Sequence, residues 1–173
     1  MKARYYFVVS AYVDGETDFA TLLARRPLTA NAPELGWLVD AAYEAQYENP
    51  DGTKKCSILF VGHSDRNDTA GVSPSDRVRS EHERSKERAE SARTWLLDRL
   101  NDRAQAAGQV LNLEWLEVDS VVAFAVGVGA SQLAKEPVAM NDRLFNRRIY
   151  IVLEGLNVAA ITAHDHHVNE LTD

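Results

Sequence analysis

The segment Ile58-Leu59-Phe60-Val61-Gly62-His63-Ser64-Asp65 joins an apolar run to a glycine and three polar residues. Short runs of β-branched and aromatic residues are typical of a buried strand, and a glycine commonly ends one. Polar residues that follow such a strand stand at the edge of a sheet, where a rigid scaffold holds them in position. We therefore expect Asp65 to present an exposed carboxylate to a ligand.

Outward from this segment, strand-like and helix-like stretches alternate along the chain. Runs of Val, Ile, Tyr and Phe predict strands at 5–13, 56–61, 118–128 and 148–153. Apolar residues at helical spacing predict a helix from about 35 to 45 and a longer one whose stripe is Ala89, Ala92, Leu96 and Leu100. The order β-α-β-α-β-(α)-β predicts an α/β fold, an α+β sandwich with helices packed on a mixed β-sheet.

The connecting segments lack a sustained period. Residues 16–33 contain two prolines and are predicted to be irregular, and residues 66–80 are polar and predicted to form a loop. Residues 131–145 are predicted to be a connection with one helical turn. Gly108 is a plausible stop for the long helix.

Composition restricts the class of protein. The chain has 173 residues, 45% of them hydrophobic and 26% charged, as in a folded globular protein. We predict a single domain over 1–155 and a tail of uncertain order over 156–173. The net charge of −7 argues against a nucleic-acid partner, because binding of nucleic acid depends on a basic field. A single cysteine excludes an intrachain disulfide.

The sequence leaves the compartment open. No apolar stretch approaches the length of a membrane span, and the apolar run near the N-terminus is better explained as a first strand than as a signal peptide. We expect a location in the cell envelope or periplasm if an export or membrane segment lies outside this sequence or is supplied by a partner. The cytoplasm is the alternative.

Three motifs fall in order on predicted elements. Gly62-His63-Ser64-Asp65 follows a strand, Ser85-Lys86-Glu87-Arg88-Ala89 opens the long helix, and Asn146-Arg147-Arg148 opens the last strand. This combination resembles the OmpA-like peptidoglycan-binding domain, whose members carry Gly-His-Thr-Asp-like, Ser-x-x-Arg-Ala and Asn-Arg-Arg motifs at these places. The resemblance covers about residues 4–154.

The resemblance implies a ligand and a role for two residues. In the family, the motif Asp and the helix Arg hold the free end of diaminopimelate in the peptidoglycan stem peptide. Asp65 would pair with its ammonium group, and Arg88 would bind its carboxylate through a planar bidentate contact. Backbone amides at the start of the helix would add donors. Taken singly, Asp65 is as well explained by a turn cap and Arg88 by a solvated helix surface.

Four further residues are expected to support the site: His63, Ser64, Asn146 and Arg147. We expect His63 to hold the strand end through a hydrogen bond and Asn146 to hold the entry to the last strand. Arg147 and Arg148 should lie on opposite faces of their strand. One of the two would brace the site or pair with an internal carboxylate, and the other would lie on the surface.

The chain departs from the family pattern in the loops 15–33 and 66–84, which are long and, in 66–84, highly charged. These loops bear on whether peptidoglycan still binds. The predicted function is therefore non-catalytic binding of peptidoglycan that anchors a protein or complex to the cell wall, with a membrane-anchored protein as a further partner. The alternative is an OmpA-like fold retained as a protein-interaction or scaffold module.

Catalysis is the weakest hypothesis. The chain has no phosphate-binding loop and no dinucleotide fingerprint, so no cofactor is expected. His63 and Asp65 lack an obvious nucleophile. His164-Asp165-His166-His167 has metal-ligand residue types but no second cluster to complete a coordination shell, so no metal site is predicted.

Overall fold

The computed structural model describes residues 3–25, 35–36, 38–40, 42–43, 56–109 and 121–156. Its strands are β1 (Ala3–Ser10), β2 (Cys56–Gly62), β3 (Val121–Gly127) and β4 (Arg148–Leu156). Its helices are α1 (Phe19–Arg25), α2 (helical at the described positions within 35–43), α3 (Pro74–Ala106) and α4 (Met140–Asn146). The predicted α/β order is confirmed.

The four strands form one mixed sheet in the order β1-β4-β2-β3. The last strand, β4, lies between β1 and β2 and runs antiparallel to both, whereas β2 and β3 are parallel. A parallel pair needs a crossover connection, and α3 lies in the connection between β2 and β3. The C-terminal ends of β2 and β3 and the start of β4 consequently meet at one end of the sheet.

One face of the sheet packs on the helices. Ile58 and Phe60 alternate with Leu59, which is exposed, because successive side chains of a strand point to opposite faces. The predicted apolar stripe of α3 is fully buried against this inner face. The stripe therefore identified the core-facing side of the helix correctly.

Two neighbouring glycines let α3 approach the sheet closely. Gly62 and Gly127 are paired in register across β2 and β3. A Cβ on Gly62 would lie 1.8 Å from the carbonyl oxygen of Ser85, and one on Gly127 would lie 2.6 Å from the Ser85 hydroxyl oxygen. That hydroxyl accepts a hydrogen bond from the Gly129 amide at 2.9 Å and donates one to the His82 carbonyl at 2.8 Å. The contact fixes where Arg88, one turn further along, meets the sheet edge.

Two predictions for the connections were wrong in part. Residues 16–33 contain α1, in which Phe19 and Leu22 are fully buried, so apolar burial organises a segment that showed no sustained period. The long helix begins at Pro74, not after residue 80. Its N-cap, Ser73, accepts a hydrogen bond from the Asp76 amide at 3.2 Å, and proline suits the first turn because it needs no donor there.

The remaining boundaries shift by a few residues. The strand predicted at 5–13 ends at Ser10, and the single turn predicted within 131–145 is the seven-residue α4. The long helix ends at Ala106, just before Gly108, which adopts φ 70° as a helix stop does. Residues 26–34, 44–55, 110–120 and 157–173, including the His-rich tail, lie outside the described part.

Candidate functional site

A pocket of about 420 Å³ opens at the edge where β2 ends, and Asp65 and Arg88 both line it. The segment 64–69, the turn at 14–15, α3 and the end of α4 supply the described walls. Its charged lining comprises five arginines and four acids. The arginines are Arg66, Arg84, Arg88, Arg143 and Arg147, and the acids are Asp14, Asp65, Asp68 and Glu81.

Asp65 is buried, with 7% of its surface exposed, which corrects the expectation of an exposed carboxylate. Arg143 Nη1 donates to Asp65 Oδ2 at 2.8 Å, and Arg147 Nη2 lies 3.8 Å from the same oxygen. Asn146 Nδ2 makes a longer contact of 3.4 Å with Oδ1. A buried carboxylate requires such partners, and the fold supplies them from the C-terminal third of the chain.

Arg143 also ties down the loop after β2. Its Nη2 donates to Asp68 Oδ2 at 2.8 Å, and Arg66 Nε donates to the other oxygen of Asp68 at 2.8 Å. Arg66 Nη1 in turn lies 2.8 Å from Glu136 Oε1. The hydrogen bonds from Arg143 and Arg66 lower the pKa of Asp68. The charged loop 66–73 is thus a wall of the pocket and is fixed by ion pairs.

Arg88 is also buried, with 3% of its surface exposed, so it is not a solvated surface residue. Its Nε donates to the Glu16 carbonyl at 3.0 Å and its Nη1 to the His63 carbonyl at 2.9 Å. The guanidinium lies 4.9 Å above the ring of Tyr12. These contacts join α3 to the end of β2 and to the turn after β1, and they hold the guanidinium in one orientation.

The pKa of Arg88 reflects this environment. Burial lowers the pKa to about 10, and Tyr12 opposes this shift. The positive charges of Arg147 and Arg84 lower the pKa further, whereas Glu16 raises it. Arg88 therefore remains charged at neutral pH, although two of its charged neighbours, Arg84 and Arg147, are also positive.

The expected helix-start donors are not available to a ligand at Arg88. Ser85 and Arg88 lie in the interior of α3, because the helix begins at Pro74. Amides in a helix interior already donate to carbonyls one turn back, so only side chains of α3 remain as donors here. The structure gathers Asp65 and Arg88 in one pocket, and no ion pair joins them among the described contacts.

His63 is almost fully buried, and it holds the end of β2 through its backbone amide and not through its imidazole ring. Its backbone amide donates to the Arg148 carbonyl at 2.8 Å. Neither imidazole nitrogen has a hydrogen-bond partner among the described residues, and the ring stacks edge-on against Tyr150 with centroids 5.0 Å apart. Burial, together with the positive charge of Arg148, lowers the pKa of His63 to about 4, although the Gln132 backbone opposes the shift. The imidazole is neutral at pH 7.

Ser64 lines the pocket beside Asp65. Its amide donates to the Gly129 carbonyl at 3.0 Å, which links the end of β2 to the turn after β3. Its hydroxyl oxygen is buried without a hydrogen-bond partner in the described part of the chain. Ser64 therefore carries unused donor and acceptor capacity at the pocket wall.

Asn146 holds the chain on both sides of α4. Its Oδ1 accepts from the amides of Ala134 and Lys135, each at 3.0 Å, and its Nδ2 donates to the Lys135 carbonyl at 2.7 Å. The residue is fully buried. It thus ties the segment before α4 to the end of that helix, just before the last strand, and it also reaches Asp65.

The two arginines after Asn146 are both buried, so the expectation that one of them lies on the surface was wrong. Arg147 caps α4 and lies 3.3 Å from the exposed carboxylate of Asp14 in addition to its contact with Asp65. Arg148 donates to the carbonyls of Asn146 and Gln132 and lies 5.0 Å from the ring of Tyr150. Pairing of one arginine with an internal carboxylate is confirmed for Arg147.

Sequence reasoning missed Arg143 and Arg84. Arg143 stands three residues before Asn146, so one helical turn places both beside Asp65, but the segment was expected to be mostly irregular. Arg84 stands four residues before Arg88 on the same helix, and it fell in the segment expected to remodel the pocket. The i, i+4 spacing from Arg88 would have found it once the helix was extended toward Pro74.

Among the described residues no cluster of three or more His, Cys, Asp or Glu side chains is arranged to hold a metal ion. None of the helices in the described part is long and apolar enough to cross a membrane.

Comparison with known proteins gives matches at the level of structure only. No family model matches the chain, and no curated protein sequence matches it. The peptidoglycan-associated lipoprotein of Burkholderia pseudomallei aligns at 16% identity and TM-score 0.46, over 84% of this chain and 88% of that one. The periplasmic domain of Helicobacter pylori MotB aligns at 14% identity and TM-score 0.47, over 92% of this chain and 81% of that one. A MotB-like protein from Desulfovibrio vulgaris aligns at 19% identity and TM-score 0.47, over 94% of this chain and 76% of that one.

Proposed function

We propose that this chain is a non-catalytic, OmpA-like module that binds peptidoglycan through the diaminopimelate end of the stem peptide. Asp65 receives the ammonium group of that end, and Arg88 receives its carboxylate. The observation that carries the proposal is that these two residues, which the motifs single out, line one pocket and carry opposite charges. A zwitterionic ligand requires one fixed charge of each sign.

Asp65 has acceptor capacity left for an ammonium group. Each carboxylate oxygen offers about two lone-pair sites. On Oδ2, Arg143 occupies one at 2.8 Å, whereas the contact of Asn146 with Oδ1 is long, at 3.4 Å. Arg143 and Asn146 orient the carboxylate, and an ammonium approaching from the pocket completes the coordination of Oδ1.

Arg88 has donors left for a carboxylate. Its Nε and Nη1 bind backbone carbonyls, and the hydrogen bonds among the described residues leave Nη2 unused. The two carbonyl contacts and the ring of Tyr12 hold the guanidinium plane before the ligand arrives. Such preorganisation reduces the entropy lost on binding. Ser64, with its unused hydroxyl, supplies a neutral donor next to Asp65.

Binding to the cell wall implies a location in the envelope or periplasm and a role in anchoring. The module would hold an attached protein or complex, including a membrane-anchored partner, to the peptidoglycan. No histidine lines the pocket among the described residues, and His63, which precedes the lining residue Ser64, is neutral and sealed from solvent. The net charge of −7 argues against nucleic acid as a partner.

Calorimetric titration with two synthetic stem tripeptides tests the proposal. One is L-Ala-γ-D-Glu-meso-diaminopimelate, and the other carries L-Lys in the third position, which lacks the carboxylate on the side-chain amino-acid centre. We expect the first to bind and the second to bind far more weakly, because Arg88 has no partner in the second complex. Loss of one charged, hydrogen-bonded partner costs about 2–5 kcal/mol.

The scaffold alternative gives a different result in the same experiment. A protein-interaction module without a cell-wall ligand would bind neither tripeptide. Equal binding of both would show that Arg88 does not read the carboxylate and would overturn the site assignment. Arg88→Ala should bind the diaminopimelate tripeptide far more weakly than the wild type does. Arg99→Ala is its matched control, because Arg99 lies on α3, is exposed, and pairs only with Asp102 among the described contacts.

A further inference from the structure

Helix α3 presents a second arginine to the same pocket. Arg84 stands four residues before Arg88, and side chains at this spacing are neighbours on one helix face. Both residues line the pocket, Arg88 at its buried end and Arg84 at its exposed side. The two guanidinium groups therefore stand one helical turn apart along the pocket wall.

The guanidinium of Arg84 is held in place but is not neutralised. Its Nη1 donates to the Gly15 carbonyl at 2.6 Å, within a turn where Gly15 adopts φ 75°. An arginine has five N–H donors, and this is the only hydrogen bond that Arg84 makes among the described residues. In the same part of the chain Arg84 has no ion pair, unlike Arg66 and Arg143, which bridge acids.

Near Arg84, other arginines lie close by, whereas the nearby acids are exposed or already accept a hydrogen bond. Arg84 and Arg147 both lower the pKa of Arg88, so the guanidinium group of each repels that of Arg88. Of the nearby acids, Asp14 is 96% exposed at its side chain. Glu81 accepts a hydrogen bond from the Asn67 amide at 2.6 Å. An anion bound between the arginines would relieve this repulsion.

We propose that Arg84 binds a second carboxylate of the ligand, so that the pocket selects stem peptides that end in diaminopimelate with both of its carboxylates free. This inference rests on the proposed function, because it extends the same site. Meso-diaminopimelate has two amino-acid centres joined by a short aliphatic spacer. Its side-chain centre would occupy Asp65 and Arg88, and its chain-end carboxylate would reach the next turn of α3, about 5 Å away.

The test is a thermodynamic cycle that combines a change in the ligand with a change in the protein. The probes are the tripeptide L-Ala-γ-D-Glu-meso-diaminopimelate and the same peptide amidated at its chain-end carboxyl. The proteins are the wild type and Arg84→Gln, and the readout is Kd by titration calorimetry. We expect amidation to weaken binding to the wild type roughly fivefold, in the range of a partly exposed ion pair, and to leave the Kd of Arg84→Gln unchanged.

The cycle separates this inference from the proposed function. If amidation weakens binding to both proteins equally, or to neither, Arg84 does not read the second carboxylate, while the Asp65–Arg88 site stands. If the wild type binds neither peptide, the proposed function itself fails and the inference with it. Arg79→Gln is the control, because Arg79 lies on the same helix, is exposed, and does not line the pocket. It should respond to amidation as the wild type does.

Discussion

Arg143 Nη1 lies 2.8 Å from Asp65 Oδ2, so the carboxylate that follows β2 is paired within the protein. The two residues are 78 positions apart in the chain. Arg143 has two consequences for the site: it stabilises a buried charge, and it holds the carboxylate through Oδ2, which leaves Oδ1 to the longer contact with Asn146. Removal of Arg143 should therefore affect both stability and binding.

Arg143→Met should lower the free energy of unfolding by about 1–3 kcal/mol, because Asp65 stays buried after its shortest ion pair is lost. Urea denaturation at neutral pH measures the change. Arg99→Met removes an exposed arginine of α3 and should cost less than about 0.5 kcal/mol. Equal stability of wild type and Arg143→Met would contradict the role given to this ion pair.

Gly62→Ala should destabilise the protein by about 3 kcal/mol or more, because the new Cβ would lie 1.8 Å from the Ser85 carbonyl oxygen and α3 would have to move. Gly36→Ala is the matched control. Nothing lies within 4 Å of a Cβ at Gly36, which is an exposed helical position, and the substitution there should stabilise by up to about 1 kcal/mol. Thermal or urea unfolding compares the two, and a tolerated Gly62→Ala would refute the close approach.

Protonation of His63 should destabilise the fold in mild acid. Its pKa in the folded state is about 4, below the ordinary histidine value of 6.5, so the unfolded chain binds a proton more readily between these pH values. Stability from the neutral imidazole is present above pH 6.5 and is lost as the pH falls toward 4, by on the order of 3 kcal/mol. The free energy of unfolding measured from pH 7 to 4 should fall less steeply for His63→Phe, whatever its stability at pH 7. An NMR titration of His63 with a midpoint near 6.5 would contradict this.

Asn146→Ala should expose the segment around Ala134 and Lys135 to hydrogen exchange, because the amides of both residues lose the side-chain oxygen that accepts their hydrogen bonds. The two amides should exchange much faster, and the protein should lose about 1–3 kcal/mol of stability. Exchange measured residue by residue separates a local effect from global unfolding. Unchanged protection of these two amides would show that Asn146 does not hold this segment.

The strands, the long helix and the fold class could be predicted because they depend on local patterns. Ile58 to Val61 and the stripe from Ala89 to Leu100 show the periods of a buried strand and an amphipathic helix. The start of α3 was missed, although Ser73 and Asp76 form a cap pair with Pro74 between them. The polar residues after Pro74 carry no apolar period and therefore predict a loop, since an exposed helical turn offers no apolar signal.

The sequence motifs single out two residues that line one pocket, but they do not predict the electrostatic environment of those residues. Asp65 and Arg88 were identified because each stands in a motif at the end or on the face of a predicted element. Their burial was not foreseen, because it depends on Arg143, Asn146 and the carbonyls of Glu16 and His63, which the fold brings from distant parts of the chain. No local pattern encodes a partner at such a distance.

The central claim is that Asp65 and Arg88 together bind diaminopimelate-type peptidoglycan. Co-sedimentation with purified diaminopimelate-type sacculi tests it most directly, with Asp65→Asn, Arg88→Lys and the control Arg99→Ala, all confirmed as folded by circular dichroism. We predict that wild type and Arg99→Ala sediment with the sacculi, that excess free meso-diaminopimelate releases them, and that Asp65→Asn and Arg88→Lys remain in solution. Failure of the wild type to sediment, or undiminished sedimentation of both site variants, would contradict the account.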